Sequence, residues 1–203
     1  MFVRSIRLAT AIVSGFLLAS CATMSPEECK RADWSVVGQS DGLDGKPLSH
    51  LDGRAKDCAK VGVAVNVPVY IQGRDMGLRN YCRLENAVPL GLNGGTYAGV
   101  CPPDIDPIFQ HRFQIARSVY DLRSDVRNLD GQIDNLERRL RELHHGEERR
   151  LKEAGSDDQR KKVRQAIDDE RRHLRGDISE ADRRLRRKRD ELRSAEYALG
   201  NLR

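Results

Sequence analysis

The chain has 203 residues, room for one or two domains. Charged residues make up 33%, hydrophobic residues 38% and aromatics 5%. That is thin for one compact globule, excludes a large α/β enzyme fold as a good candidate, and fits a small core joined to long, solvent-washed helix. Lys and Arg number 36 against 31 Asp and Glu, a net charge of +5, and this mixed balance argues against a strongly basic nucleic-acid binder.

Arg4 and Arg7 precede an apolar stretch from Leu8 to Leu18, broken by Thr10, Ser14 and Gly15. A membrane-spanning helix needs about 20 apolar residues, and this stretch falls well short, as a signal-peptide core does. Leu18-Ala19-Ser20-Cys21 follows. It resembles the bacterial lipoprotein box, in which a branched residue and two small residues mark cleavage before a Cys. The resemblance implies a signal peptide at 1–20, a lipidated linker at 21–25, and a diacylglyceryl group on the Cys21 thiol. Buried acyl chains contribute about 0.8 kcal/mol per methylene, so such an anchor holds. Ala22, rather than Asp, follows the Cys, which in Gram-negative bacteria implies the periplasmic face of the outer membrane. The rival reading is an ordinary secretory signal with a Cys by chance. No later segment is apolar enough to span a membrane.

Besides Cys21 the chain holds Cys29, Cys58, Cys82 and Cys101. Four cysteines in an oxidising compartment point to two disulfides. Three pairings exist; Cys29–Cys58 with Cys82–Cys101 is favoured, because each joins neighbouring elements. None of these cysteines lies two to four residues from another, which argues against a zinc site.

All seven prolines fall between Pro26 and Pro107, and eleven of the seventeen glycines between Gly38 and Gly99. The chain therefore divides near Pro102–Pro107 into a turn-rich region, 26–106, and a region, 107–203, with no proline after Pro107. Ser25-Pro26-Glu27-Glu28 predicts a capped helix running to about Val37, with Cys29, Ala32, Val36 and Val37 on its inner face. Gly38 is expected to end it, and Asp41-Gly42 and Asp44-Gly45 to form turns. A second helix is predicted over about Leu51–Lys60, stopped by Gly62. A third follows Asn66, carries Tyr70 and Tyr81, and contains Gly73 and Gly77, whose spacing suggests close backbone packing. Val88 to Cys101 reads as loop or weak hairpin.

Asp33-Trp34, Gly38, Asp41-Gly42, Gly45, His50, Cys58, Tyr70, Gly73-Arg74, Gly77-Leu78, Tyr81-Cys82, Gly91, Gly94, Tyr97, Gly99 and Cys101 together carry a resemblance. The pattern resembles a family of small bacterial envelope lipoproteins carrying a domain of unknown function, over about Cys29–Pro102. It implies an envelope location and brings no catalytic residue with it.

Beyond Pro107, Ile115, Val119, Leu122, Val126, Leu129, Ile133, Leu136, Leu140 and Leu143 recur at alternating spacings of four and three. Such a 3.5-residue period marks a narrow coiled-coil seam. Gly155-Ser156-Asp157-Asp158 reads as a helix stop followed by a helix start. A weaker seam follows: Val163, Ile167 and Leu174, then Ile178, Ala181, Leu185, Lys188, Leu192, Ala195, Leu199 and Leu202. Two stretches of nearly equal length, each about 70 Å at 1.5 Å per residue, predict an antiparallel hairpin. The alternative is one broken arm that pairs with another chain. Gly131 and Gly176 are expected at the same level of the hairpin. Expected helix pairs are Glu137 with Arg141, Asp168 with Arg172, Glu180 with Arg184 and Asp182 with Arg186.

The fold class is thus mainly α: a small disulfide-stapled, turn-rich helical domain followed by a long antiparallel helical hairpin. No Gly-x-Ser-x-Gly, P-loop or His-Glu-x-x-His element occurs. No catalytic, cofactor or metal residue is expected, and the His144-His145 pair lacks a further ligand nearby. Trp34 reads first as core and second as a sugar-stacking platform, with His50 and Asp41 on a shared surface. Tyr70, Tyr81 and Tyr97 read as core with hydroxyls reaching outward. Arg184 and Arg187, in the run Arg183–Arg189, read first as a solvated face and second as contacts for anionic lipid or peptidoglycan. The expected function is a non-enzymatic envelope lipoprotein whose coiled-coil arm meets an envelope protein or peptidoglycan, with self-association open. Nucleic acid is not an expected partner. The alternative is a cell-wall glycan enzyme or an activator of one.

Overall fold

A computed structural model describes residues 24–202. The signal peptide expected at 1–20 and the expected lipidation site, Cys21, fall outside the described residues. Seven helices and no strand make up the described chain: α1 (Pro26–Arg31), α2 (Trp34–Leu43), α3 (His50–Ala59), α4 (Val67–Tyr81), α5 (Leu84–Leu92), α6 (Asp106–Glu153) and α7 (Asp157–Gly200).

The opening helix starts as expected and stops early. Ser25 and Glu28 form a reciprocal capping box, with Glu28 N donating to Ser25 Oγ at 3.3 Å and Ser25 N to Glu28 Oε2 at 2.7 Å. The chain then turns extended at Ala32, and the Asp33 carboxylate caps a new helix by accepting from Ser35 N at 2.9 Å. Helix α2 runs straight through Gly38, Asp41 and Gly42, where an end and a turn were expected. Val36, expected inside, is 61% exposed.

The reason lies in a partner helix. Gly38 and Gly42 on α2 face Gly73 and Gly77 on α4. A Cβ on Gly38 would sit 2.0 Å from the Tyr70 carbonyl oxygen, and one on Gly73 2.0 Å from that of Ser35. Gly73 meets Ser35 and Gly77 meets Gln39, so the two helices run parallel with their backbones in contact. A glycine in a helix interior costs about 1 kcal/mol against Ala. Here four of them remove the side chains that would hold the helices apart, and close packing offsets that cost. Only Gly45, of the expected turns, bends the chain: its φ is +63°, a region that side chains disfavour.

Helices α3 and α4 fall where the sequence places them, the latter capped by the Asn66 side chain accepting from Val69 N at 3.3 Å. Gly62, with φ of +73°, ends the turn after α3. The segment read as loop from Val88 contains most of α5, with Pro89 inside it. Its Ala87 and Gly91 are buried, and a Cβ on Gly91 would meet the Phe113 carbonyl oxygen of α6 at 2.6 Å. Packing on α6 thus outweighs the hydrogen bond that Pro89 cannot donate.

Both favoured disulfides are formed. Cys29–Cys58 joins α1 to α3, and Cys82–Cys101 joins the end of α4 to the loop before α6. Around the first lie Met24, Trp34, Leu51 and Tyr70; around the second, Leu78, Ala87 and Phe109. The opening turns of α6 are therefore part of this core: Phe109 and Ala116 are fully buried, and Phe113 packs beside them.

From there α6 leaves the core and pairs with α7 in one chain. Arg123–Glu196 at 2.7 Å, Asp125–Lys188 at 3.3 Å, Asp130–Arg189 at 3.0 Å and Glu147–Arg171 at 2.7 Å cross between the two helices. From Arg123–Glu196 near the core to Glu147–Arg171 near the turn, numbers rise on α6 and fall on α7, so the hairpin is antiparallel. Its seam is the expected one: Val119, Leu129, Leu136 and Leu143 pack toward Ile167, Leu174, Ala181 and Leu185, all buried. Lys188 lays its stem in the seam and carries its ammonium out to Asp125 and Glu191. The turn is closed by Ser156, which forms a second capping box with Gln159.

Two details differ. Gly131 and Gly176 are not level: Asp130, beside Gly131, pairs with Arg189, thirteen residues along α7 from Gly176. The pairs that cross between the helices, not equal length of the two stretches, set which residues lie level. Glu137–Arg141 forms at 3.7 Å, but Asp168 chooses Arg171, and Arg172 pairs with Asp169. Arg171 faces α7's partner, where Glu147 also reaches it, and that shared position decides the pairing.

Candidate functional site

Asp41 is the one buried charged residue among the described residues. It sits on α2, held against α4 by the glycine contacts just described. Arg54 on α3 grips it with two bonds, Nε to Oδ2 at 2.9 Å and Nη2 to Oδ1 at 2.6 Å. The Tyr70 hydroxyl on α4 donates to Oδ2 at 2.8 Å, and His50 Nδ1 lies 3.4 Å from the same oxygen. One carboxylate thus ties three helices together. Burial pushes its pKa up, but the bonds from Arg54, Tyr70 and His50 and the Arg54 charge outweigh that and hold it below the usual carboxylate range. Burial first, and then the bond to Asp41, push the Tyr70 hydroxyl well above its ordinary value. A bidentate, fully partnered carboxylate is a structural clamp. The Asp41 side chain is almost wholly withdrawn from solvent.

Arg54 also borders a hollow of this region. The hollow has a volume of about 560 Å³ and runs along α1 and α2. Met24, Ala32, Val36 and Val37 supply its apolar lining; Glu27, Glu28, Arg31, Asp33 and Ser40 complete it. Glu28 and Asp33 are already occupied as caps, and Arg54 by Asp41.

A second node closes the other end of the region. The Tyr97 hydroxyl donates to Asp106 Oδ1 and accepts from Cys101 N at 3.2 Å. Its ring stacks among Tyr81, Phe109 and Phe113, with centroids 4.8 Å away at the closest. The hydroxyls of Tyr70 and Tyr97 therefore point inward to carboxylates, not outward.

Trp34 is 8% exposed and belongs to the core, so it offers no stacking face. His50 and Asp41 do come together, as expected, joined by Arg54 and Tyr70; Asp33 is engaged as a cap. The sequence reading missed Arg54. Its spacing of four from His50 on one helix was the available signal. On the arm, Arg184 and Arg187 border a shallow cleft with Asp125, Asn128, Leu129 and Gln132. Neighbouring Lys188 and Arg189 are paired across the hairpin, whereas Arg184 and Arg187 form no ion pair among the described residues. His144 and His145 are exposed, with ring centroids 5.9 Å apart. No group of three or more His, Cys, Asp or Glu suited to a metal ion occurs among the described residues. No helix among them is long and apolar enough to cross a membrane.

Comparison with known proteins meets this geometry at one place. Residues 33–118 match a family model described as a protein of unknown function, DUF2799. The match opens at the Asp33 cap of α2, spans both glycine-faced helices, Asp41 and Cys82–Cys101, and ends within α6. It starts later and runs further than the resemblance expected from sequence, because Phe109, Phe113 and Ala116 of α6 are part of the same core. The DUF2799 stretch leaves out α1 and most of the hairpin. No curated protein and no solved structure matches the chain.

Proposed function

We propose that the protein is a non-enzymatic bacterial envelope lipoprotein. It is tethered to the outer membrane through a lipidated Cys21 and uses its hairpin to contact an envelope protein or peptidoglycan. The observation that supports this best is the continuity of α6, which begins inside the disulfide-stapled core and runs unbroken from Asp106 to Glu153. Forty-eight helical residues extend about 70 Å at 1.5 Å each. A helix rooted in a core presents its outer surface at a fixed distance and angle from that core. The leader and lipoprotein box supply the anchor in this reading, and two disulfides suit an oxidising compartment. Arg184 and Arg187, uncommitted on the arm, are suited to carboxylates of a wall peptide or of an acidic protein face.

Two measurements test the proposal. Cys21→Ser should release the protein from the membrane fraction; retention there removes the anchor. Photo-crosslinking probes at Arg139, Lys162, Arg184 and Arg187 in the native cell should capture a partner, read by mass spectrometry. One repeated protein, or wall fragments, from a contiguous stripe would support the arm. Capture no greater than from probes on the stapled region would sink it.

A further inference from the structure

We propose that Arg74 of α4 and the loop between α2 and α3 form a binding site for a dianionic phosphate, either the free ion or the terminal phosphate of a lipid. The site lies in the stapled region and stands independently of the anchor and the arm proposed above.

The starting observation is a positive charge with nothing to balance it. Among the described residues, Arg74 Nε is the one buried side-chain nitrogen or oxygen without a hydrogen-bond partner. Such orphans are rare, and a bound ion is one of the things that accounts for them. Arg74 leaves α4 one turn after Tyr70, on the face that meets Asp41. Asp41 is not free to pair with it, because Arg54 already holds both carboxylate oxygens. The one bond that Arg74 makes runs from Nη2 to the Lys46 carbonyl oxygen at 2.8 Å. Its Nη1 has no partner among the described residues and is not buried. Asp44 and Asp75, the acids nearest in sequence to Lys46 and Arg74, form no ion pair with either.

The loop adds a second cation beside the first. Gly45 turns the chain after α2. Lys46 N then donates to the Asp41 carbonyl oxygen at 2.9 Å, and His50 Nδ1 lies 3.4 Å from the Asp41 carboxylate. Both ends of the loop are thus pinned to Asp41, which fixes the Lys46 carbonyl where Arg74 grips it. Lys46 itself is exposed and forms no ion pair among the described residues. Its flexible four-carbon stem lets the ammonium close on an anion held by Arg74. Arg54 and Asp41 cancel, so two positive charges remain. A carboxylate would balance one of them. A phosphate monoester carries about −1.5 to −2 at neutral pH and balances both. Two of its oxygens also match the open edge of the guanidinium, Nη1 and the second hydrogen of Nη2.

The test is equilibrium dialysis of the full-length protein, in neutral detergent and phosphate-free buffer, against radiolabelled inorganic phosphate. The expected result is saturable binding of one phosphate per chain. Arg74→Gln, which keeps an amide to donate to the Lys46 carbonyl, should weaken it by about tenfold or more, and Lys46→Gln by a smaller factor. Circular dichroism melts without phosphate report whether each variant is folded. Should Arg74→Gln melt early, Arg74→Lys decides: it keeps the charge and loses the fork, so it should fold and still bind several-fold more weakly. No saturable binding by the wild type, or equal binding by the wild type and a folded Arg74 variant, would overturn the site. Competition then separates the two sources. Short-chain phosphatidic acid that displaces the label at about a tenth of the concentration of unlabelled phosphate would assign a lipid phosphate. Displacement at equal concentration would assign the free ion. Short-chain phosphatidylcholine, which offers no dianion, should displace nothing; displacement by it would also overturn the proposal.

Discussion

The two regions of the molecule solve the same problem, burying helix surface with few large apolar side chains, by opposite means. The stapled region brings backbones into contact through four glycines, locks them with two disulfides and places a charge inside. The hairpin keeps its helices a side chain apart, with a seam one row wide and charges left outside to pair in water. The difference teaches where specificity lives. In the hairpin it lies in a repeating pattern, and many single changes are tolerable. In the stapled region it lies in a few positions that admit one residue type.

Several experiments can break or sharpen that contrast. Reduction of both disulfides should have the largest effect, about 2–4 kcal/mol for each bridge. Followed by circular dichroism and near-ultraviolet signals, the stapled region should melt far earlier while most arm helix persists; simultaneous loss of both would show that the arm depends on the core. Gly73→Val comes next. Its side chain has the Ser35 carbonyl in its place, and separating α2 from α4 should cost on the order of 4 kcal/mol.

Asp41→Asn should cost about 3 kcal/mol, since it leaves the Arg54 guanidinium, 15% exposed, without its counter-charge. The sign with pH follows from the lowered carboxyl. Its contribution is complete above the ordinary value of 3.8 and is lost as pH falls through the lower folded-state value. Acid unfolding of the wild type should therefore steepen below that point, and the variant should show a flatter acid limb. Leu174→Ala in the arm should cost about 2 to 3 kcal/mol and leave near-ultraviolet signals of the stapled region untouched. Smallest of all, Gly131→Ala should stabilise by about 0.5–1 kcal/mol, because nothing lies within 4 Å of the added carbon. A glycine change that stabilises one region and unfolds the other would put the contrast in a single pair of melting curves.

Legibility in sequence followed the same divide. The seam from Val119 to Leu143 and the Ser156 stop-and-start could be read directly, because a coiled coil is written in local periodicity. The disulfides were readable because few pairings exist and each chosen one joins neighbours. Helix α2 was not. Gly38 and Asp41-Gly42 carry the chemistry of a helix end and a turn, and what makes them helical is thirty-odd residues away, at Gly73 and Gly77. Those later glycines did signal close packing, but their partner could not be named from one helix alone. Pro89 hid α5 in the same manner, its helix being held by Phe113 and Ala116 of α6. At the site, Asp41 and His50 were legible as neighbours. Arg54 and the inward turn of Tyr70 were not, since both depend on the parallel packing of α2 and α4.

The run of α6 from the aromatic core to the hairpin tip also has a mechanical side. There is no linker between Phe109 and Glu153 to absorb a pull. A load on the tip acts as on the long end of a lever, and its short end is the turn holding Phe109, Phe113 and Ala116. The Cys82–Cys101 bridge stands five residues before that helix begins, and the Tyr97 hydroxyl holds Asp106 at its first turn. Together they act as the fulcrum, so tension from the far end arrives at a covalent cross-link instead of a seam of leucines.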